Sequence, residues 1–200
     1  MVLKAQQTPS QKNIVIFASG EGTNAKNIIQ YFSKQNNIKV THVLSNNIRA
    51  KVLKTAHDLE INALHFDRAA LYHTNEVFHL LQDINPDLIV LAGFLWILPE
   101  KIIEEFPNKI INIHPALLPK YGGKGMYGNN VHKAVLENNE TETGISIHYV
   151  NEKYDEGELI EQFSVKIEPS DDLDSVKKKI KTLEHKHFPE VIEKLLTDKE

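Results

Sequence analysis

The stretch Asn13-Ile14-Val15-Ile16-Phe17-Ala18-Ser19-Gly20-Glu21-Gly22-Thr23-Asn24 passes from an apolar run into a glycine-rich segment. Residues 25–33 follow it with apolar side chains at helical spacing. This order predicts a buried strand, a tight turn and a helix, which is how many α/β domains begin.

The glycine-rich segment, residues 19–24, lies where the predicted strand leads into the predicted helix. Backbone N–H groups and the helix dipole make such a helix start an anion site, so we expect it to bind a phosphate. No Gly-Lys-Ser/Thr sequence follows, and the third glycine of the dinucleotide fingerprint is missing, which favours a phosphomonoester over ATP or NAD. The alternative is a tight turn that needs two glycines only for its shape.

Apolar runs and helical patterns alternate along much of the chain. The further predicted strands are residues 39–44, 63–66, 88–92 and 109–113, and the further predicted helices are residues 49–60, 74–84, 98–106 and 131–138. Alternation of this kind indicates right-handed βαβ units and a parallel sheet covered on both faces. Residues 144–150 and 159–167 instead alternate with period two across a turn-rich segment, which predicts an antiparallel pair.

The predicted fold class is therefore α/β, a Rossmann-like three-layer sandwich whose mostly parallel sheet has an antiparallel C-terminal extension. A long amphipathic helix, residues 171–196, closes the chain, with Ser170 or Asp171 as its N-cap. We expect residues 1–12 to form a flexible tail and residues 13–200 to form a single domain.

Composition disfavours several classes of function. Among 200 residues the net charge is −4. The 23 Lys and Arg side chains are scattered along the chain, except for the short cluster Lys177, Lys178 and Lys179, so we expect no nucleic-acid partner.

The absence of cysteine excludes disulfides and thiolate chemistry and fits a cytoplasmic location. Neither a signal peptide nor a spanning segment is evident, so we expect no membrane association. No motif such as His-Glu-x-x-His is present, so we expect no metal.

Two polar residues, Asn112 and His114, stand at the end of a predicted strand. Alternate side chains of a strand share a face, so this amide and this imidazole should point the same way. An amide donor beside a titratable base suits a reaction that builds negative charge on a carbonyl oxygen while it moves a proton, as in acyl-type transfer. The alternative is a polar strand end with a structural histidine.

Asp155 lies in the acidic turn between the two antiparallel strands, and Gly157 permits a sharp reversal there. We expect Asp155 to reach His114, to orient its imidazole and to raise its pKa. The alternative is an aspartate that only forms the turn. The segment Phe94-Leu95-Trp96-Ile97-Leu98 follows another predicted strand, where it could bind a flat heteroaromatic ligand or simply pack in the core.

Several motifs occur together in one order: Ser19-Gly-x-Gly-Thr-Asn24, Leu91-Ala-Gly-Phe94, Asn112-Ile-His-Pro-x-Leu-Leu-Pro-Lys-Tyr121, Gly144-x-Ser-x-His148, Asp155-x-Gly157, and Glu184-His185 with Phe188-Pro189. With these motifs the chain resembles the phosphoribosylglycinamide formyltransferase family from about residue 13 to residue 196. The resemblance implies transfer of a formyl group from 10-formyltetrahydrofolate to the amino group of glycinamide ribonucleotide, a step of purine synthesis. It implies small-molecule substrates, no metal, and a monomer or homodimer.

The resemblance also implies roles for individual residues. Asn112, His114 and Asp155 match the catalytic trio, which stabilises a tetrahedral intermediate. The residues implied in ribonucleotide binding are Gly22, Thr23, Asn24, Ile113, Pro115, Lys181 and Glu184. Those implied in folate binding are Leu95, Trp96, Ile97, Leu98, Val150, Asn151, Glu152 and Tyr154.

The chain departs from the family pattern at two places. Trp96 stands where members often carry arginine, and the loop of residues 121–128 is longer and richer in glycine than the common form. Methionyl-tRNA formyltransferase and formyltetrahydrofolate hydrolase resemble the same core, but both are expected to be longer. A non-enzymatic binding protein on a Rossmann-like scaffold is the alternative from a different class.

Overall fold

The first strand, β1 (Lys12–Phe17), lies near the middle of a seven-stranded sheet in a computed structural model that describes residues 11–198. The other strands are β2 (Ile38–Ser45), β3 (Asn62–His65), β4 (Leu88–Leu91), β5 (Ile110–His114), β6 (Glu142–Tyr149) and β7 (Leu159–Lys166). Their order across the sheet is β3-β2-β1-β4-β5-β6-β7. The pairs among β1 to β5 are parallel, whereas β5 with β6 and β6 with β7 are antiparallel. The predicted fold class is confirmed.

The helices cover both faces of the sheet. They are α1 (Thr23–Phe32), α2 (Lys51–Asp58), α3 (Arg68–Tyr72), α4 (Glu76–Ile84), α5 (Glu100–Glu105), α6 (Asn129–Glu137) and α7 (Leu173–Thr197). Alternate residues of β1 face opposite layers: Ile14 and Ile16 pack with α1, α2 and α7, while Val15 and Phe17 pack with α3, α4 and α5. The result is one sheet between two apolar layers.

Three details differ from the sequence-based expectations. Lys12 already belongs to β1, and residues 1–10 of the expected tail lie outside the described residues. The helix α3 was missed because five residues are too few to show helical periodicity. The N-cap of α7 is Asp172, not Ser170 or Asp171, because its side chain accepts the Ser175 N–H at 2.8 Å. Asp171 instead forms an ion pair with Lys179.

The pairing of β6 with β7 requires a glycine at position 144. A Cβ added to Gly144 would lie 2.1 Å from the carbonyl oxygen of Phe163 and 2.6 Å from Cδ2 of Leu117. The backbone of the neighbouring strand therefore occupies the space that a side chain would need.

We predict that Gly144→Ala lowers the free energy of unfolding by about 3 kcal/mol, because backbone must shift to admit the methyl group. Chemical denaturation of the variant and the wild-type protein measures this. Gly20→Ala is the matched control, since no atom lies within 4 Å of its added Cβ. A loss at position 144 no larger than at position 20 would show that the contact relaxes freely.

Candidate active site

A cavity of about 780 Å³ opens where β1, β4 and β5 end. Its walls come from residues 20–24 after β1, 92–95 after β4 and 112–115 of β5 and beyond. The loop of residues 123–129, the turn at Tyr154 and Asp155, and the side chains of Lys177, Ile180, Lys181 and Glu184 on α7 complete it. The carboxyl edge of a parallel sheet is the usual ligand site in α/β folds, and the residues expected to act in catalysis and ribonucleotide binding converge there.

The Asn–His–Asp trio (Asn112, His114 and Asp155) forms one cluster at this cavity. Oδ2 of Asp155 lies 3.4 Å from Nδ1 of His114, and Oδ1 of Asp155 lies 3.4 Å from Nδ2 of Asn112. A turn brings the carboxylate back over the sheet because Gly157 lacks a side chain, and a Cβ there would lie 1.7 Å from the Tyr149 carbonyl oxygen. The expected reach of Asp155 to His114 is thus present.

A second imidazole, His148, belongs to the same cluster and was not among the sequence-based catalytic candidates. It lies opposite Asn112 in the β5–β6 pair, and its Nε2 is 3.1 Å from Nδ2 of Asn112. Its Nδ1 lies 2.8 Å from the Tyr149 carbonyl oxygen, which can only accept a hydrogen bond. Nδ1 therefore carries the proton in the neutral ring, Nε2 accepts from Asn112, and the orientation of that amide is set.

Both ring nitrogens of His114 face acceptors. Nε2 lies 2.7 Å from the carbonyl oxygen of Tyr121, so Nε2 carries a proton in every protonation state compatible with this contact. The Nδ1 atom, beside Asp155, is therefore the one that gains and loses a proton. Its 3.4 Å separation from the carboxylate exceeds an ordinary hydrogen bond and leaves Nδ1 able to engage a ligand atom.

The pKa of His114 is lowered, because its burial outweighs the Asp155 carboxylate and the Tyr121 carbonyl, which both raise it. Asp155 raises this pKa as expected, but burial sets the net direction, and sequence alone does not reveal that His114 is 3% exposed. Burial also acts against the charge of Asp155, but the rings of His148 and His114 when they are protonated, and the N–H of Gly123, leave the pKa of Asp155 lowered.

The glycine-rich segment forms a helix start beside the cavity. Gly22 adopts φ 71°, and a Cβ there would lie 2.2 Å from Cγ2 of Val52, so both backbone conformation and space require glycine. No side chain caps the first turn of α1. The geometry suits an anion at residues 22–24, and Lys181 lines the same cavity from α7.

Asn24 and Glu184 connect α1 to α7 at the cavity wall. Nδ2 of Asn24 donates to Oε2 of Glu184 at 3.0 Å. Burial raises the pKa of Glu184, while the hydrogen bond from Asn24 and the charge of Lys181 act in the opposite direction. Two residues that the resemblance assigns to the ribonucleotide are thus in contact with each other.

The residues assigned to the folate occupy different surroundings. Leu95 and Tyr154 line the cavity, and both are exposed. Leu98 is 2% exposed within the apolar core, and Trp96 packs against Phe66 with the Arg68 guanidinium 4.7 Å from its ring centre. The side chains of Ile97, Val150, Asn151 and Glu152 also lie outside the cavity lining.

The imidazole of His132 on α6 also lines the cavity, although no sequence motif singled it out. It is 7% exposed, and its Nδ1 is buried with no hydrogen-bond partner among residues 11–198. Burial lowers the pKa of His132 to about 4, and the charges of Lys177 and His114 contribute in the same direction. Its burial becomes visible only in the folded chain.

No group of three or more His, Asp or Glu side chains arranged to hold a metal ion is found within residues 11–198. Over the same residues, no helix has both the length and the apolar character needed to cross a membrane.

Residues 12–192 match a protein family described as formyl transferase. A phosphoribosylglycinamide formyltransferase of Escherichia coli is 36% identical over 187 residues, which cover 90% of this chain and 85% of that protein. A chloroplastic enzyme of the same name from Arabidopsis thaliana is 35% identical and aligns with 92% of this chain. The chain spans about 65% of the length of that plant relative.

Solved structures of proteins with the same kind of name also resemble this chain. The crystal structure of a phosphoribosylglycinamide formyltransferase from Bacillus halodurans superposes with a TM-score of 0.84 at 33% identity, covering 94% of this chain and 97% of that one. A glycinamide ribonucleotide transformylase from Symbiobacterium toebii superposes with a TM-score of 0.85 at 29% identity, covering 94% of this chain and 89% of that one.

We predict that His132→Gln makes the protein less sensitive to acid. The folded protein keeps His132 neutral down to a pKa of about 4, whereas the unfolded chain takes up a proton below 6.5, so stability is lost as the pH falls between these values. At about 1.4 kcal/mol per pKa unit, protonation of this histidine lowers the free energy of unfolding by about 3 kcal/mol over this pH range.

Denaturation curves recorded from pH 6.5 to pH 4 measure the difference. The variant should lose about 3 kcal/mol less than the wild type over this interval. His73→Gln, at an exposed histidine, is the control. Parallel stability curves for wild type and His132→Gln would contradict the assignment.

Proposed function

Because the chain belongs to the formyl transferase family, we propose that it transfers a formyl group from 10-formyltetrahydrofolate to the amino group of glycinamide ribonucleotide, a step of purine synthesis. The observation that carries the proposal is the Asn–His–Asp trio on the wall of a cavity that continues to the uncapped start of α1. One end of the cavity suits acyl-type chemistry and the other suits a phosphate. The proposed compartment is the cytoplasm.

The proposed chemistry begins with attack of the amine nitrogen on the formyl carbon. Negative charge then develops on the formyl oxygen. One N–H of Asn112 is held by His148, and the other, at 3.4 Å from Oδ1 of Asp155, would turn to this oxygen as its donor. A donor of this kind contributes about 3 to 4 kcal/mol to transition-state stabilisation in acyl transfer.

A proton must pass from the attacking nitrogen to N10 of the folate as the bond from the formyl carbon to N10 breaks. Nδ1 of His114 is the proposed carrier, because Nε2 stays bound to the Tyr121 carbonyl. On taking the proton, His114 becomes an imidazolium that is supported by Asp155 and shares the stabilisation of the tetrahedral oxyanion with Asn112. Donation to N10 restores the neutral ring.

Ribonucleotide binding is proposed at the α1 end of the cavity. The phosphate would accept from the backbone N–H groups of Gly22, Thr23 and Asn24, with Lys181 as counter-charge. Glu184 would accept from ribose hydroxyls, and Ile113 and Pro115 would contact the substrate between the two ends.

Folate binding is proposed at the opposite end, against the segments of residues 95–98 and 150–154. Leu95 and Tyr154 support this part of the proposal directly, because both residues line the cavity. Trp96, Ile97, Leu98, Val150, Asn151 and Glu152 belong to the same proposed pocket, either through backbone groups or by supporting its wall. Trp96 has a supporting position, between Phe66 and Arg68.

The experiment that tests the function is a formyl-transfer assay with purified protein and 10-formyltetrahydrofolate. Glycinamide ribonucleotide, water and initiator tRNA are offered as competing acceptors, and each formylated product is quantified. The proposal requires formyl-glycinamide ribonucleotide as the main product. Formate release or formyl-tRNA as the main product would identify a different member of the folate-dependent enzymes.

We predict that Asp155→Asn lowers kcat by about a hundredfold while both substrates still bind, because the imidazolium of His114 loses its counter-charge. The pKa of His114 must fall further, since the Asp155 carboxylate raises it. Steady-state kinetics and NMR titration of His114 measure the two effects. Glu156→Gln, which removes a neighbouring exposed carboxylate, is the control. An unshifted His114 with normal turnover would reduce Asp155 to a turn residue.

We predict that Lys181→Ala raises the KM for the ribonucleotide about tenfold or more and leaves the KM for folate almost unchanged, because the lost charge faces the phosphate end. Lys178→Ala is the matched control, an exposed lysine of the same helix outside the cavity lining. A defect confined to folate, or equal effects of the two lysine variants, would reject the assignment.

A further inference from the structure

The Tyr121 carbonyl determines which nitrogen of His114 reacts, so whatever fixes that carbonyl also controls the proposed chemistry. The His114 Nε2 and the Tyr121 oxygen are 2.7 Å apart. A carbonyl accepts only, so this contact keeps the proton on Nε2 and aims Nδ1 at Asp155 and the cavity. A displacement of Tyr121 would free the ring to rotate or to change tautomer.

Tyr121 needs external support because its backbone is in the left-handed region, at φ 58°. Residues other than glycine, asparagine and aspartate rarely adopt this conformation unless neighbouring contacts impose it. The backbone immediately after it is also tightly placed. A Cβ on Gly122 would lie 2.6 Å from Cδ2 of Leu118 and 3.3 Å from Cβ of Asp155, and the N–H of Gly123 donates to Oδ2 of Asp155 at 3.0 Å.

The support comes from Glu140, in the turn after α6. The hydroxyl of Tyr121 donates to Oε1 of Glu140 at 2.9 Å, and Nζ of Lys120 donates to the same oxygen at 2.9 Å. These two donors lower the pKa of Glu140, so it is held as a carboxylate. Lys120 has two-thirds of its side chain exposed, which makes the tyrosine hydroxyl the more sheltered of the two partners.

We propose that Glu140 is a positioning residue for the reaction proposed above: it holds Tyr121 in the conformation whose carbonyl fixes His114. Glu140 itself does not line the cavity and touches neither Asn112 nor Asp155. Its influence therefore reaches the reacting atoms through one side chain and one backbone carbonyl. The residue lies outside every motif on which the family resemblance rests.

The test compares Glu140→Ala with Glu140→Gln and Tyr121→Phe. The alanine variant removes the acceptor, the glutamine variant keeps an acceptor oxygen in its place, and the phenylalanine variant removes the donor while it keeps the ring. Glu137→Gln, an exposed carboxylate on the last turn of α6, is the charge-matched control. Kinetics, thermal unfolding and NMR titration of His114 are measured for each.

Glu140→Ala and Tyr121→Phe should each lower kcat about tenfold with KM values changed by no more than about twofold, because the ring is misplaced rather than the ligands lost. Glu140→Gln should recover most of the rate. The double variant should be no slower than either single variant, as expected for two residues in one chain of contacts.

The His114 titration distinguishes positioning from general structural damage. The Tyr121 carbonyl raises the pKa of His114, so loosening it should shift the titration to lower pH in Glu140→Ala and Tyr121→Phe only. The other titratable groups facing His114, which are Asp155, His148 and His132, are unchanged in these variants.

This titration does not depend on turnover, so it separates two kinds of failure. An unshifted His114 in Glu140→Ala, at wild-type kcat, would overturn the positioning role and leave the proposed function standing. A wild-type protein without formyl transfer would overturn the function, while a shifted His114 would still establish the link from Glu140 to this imidazole. A lowered melting temperature with an unshifted His114 would show that Glu140 stabilises only the loop.

Discussion

Asn112 and His148 face each other across β5 and β6, at the place where the sheet changes from parallel to antiparallel pairing. This register brings an amide from one strand to an imidazole of the next, 36 residues further along the chain. The turn between β6 and β7 can then fold back over the pair, because Gly157 gives the backbone room to pass Tyr149. The Asn–His–Asp trio depends on this pairing, because the antiparallel register sets Asn112 directly opposite His148, beside the turn that carries Asp155.

The sequence predicts the layers of this fold well because strand and helix periods are properties of the local pattern. Every sheet strand was anticipated within a few residues, and the N-terminal βαβ pattern correctly indicated parallel pairing. What failed depended on side-chain contacts that the periodic pattern does not show. Asp171 and Asp172 are equivalent caps by composition, and the engagement of Asp171 by Lys179 leaves the cap to Asp172. The helix α3 is held by Asp67 at its start and by packing of Leu71, not by a repeated pattern.

The residues of the candidate site also fall into two groups, those that the local sequence pattern predicted and those that it did not. Asn112 and His114 were found because they share one strand face, and Asp155 because a single acidic turn could reach them. His148 was quoted within a motif but received no role, since its opposition to Asn112 depends on strand register, which the sequence leaves open. The net direction of the His114 pKa lies beyond the sequence for a related reason. A carboxylate neighbour can be inferred from a turn, whereas the burial that outweighs it is produced by the whole fold.

Backbone carbonyls assign opposite tautomers to the two imidazoles of this site. The Tyr149 carbonyl keeps a proton on Nδ1 of His148, so the lone pair of its Nε2 meets the Asn112 amide. The Tyr121 carbonyl keeps a proton on Nε2 of His114, so its Nδ1 meets Asp155 and the cavity. One ring thus orients a donor, while the other has a single nitrogen that can exchange a proton with a ligand. A formyl transfer of the proposed kind must move one proton between two nitrogens without losing it to water. Confining that exchange to one buried atom, with a carboxylate within reach to support its charge, satisfies this requirement.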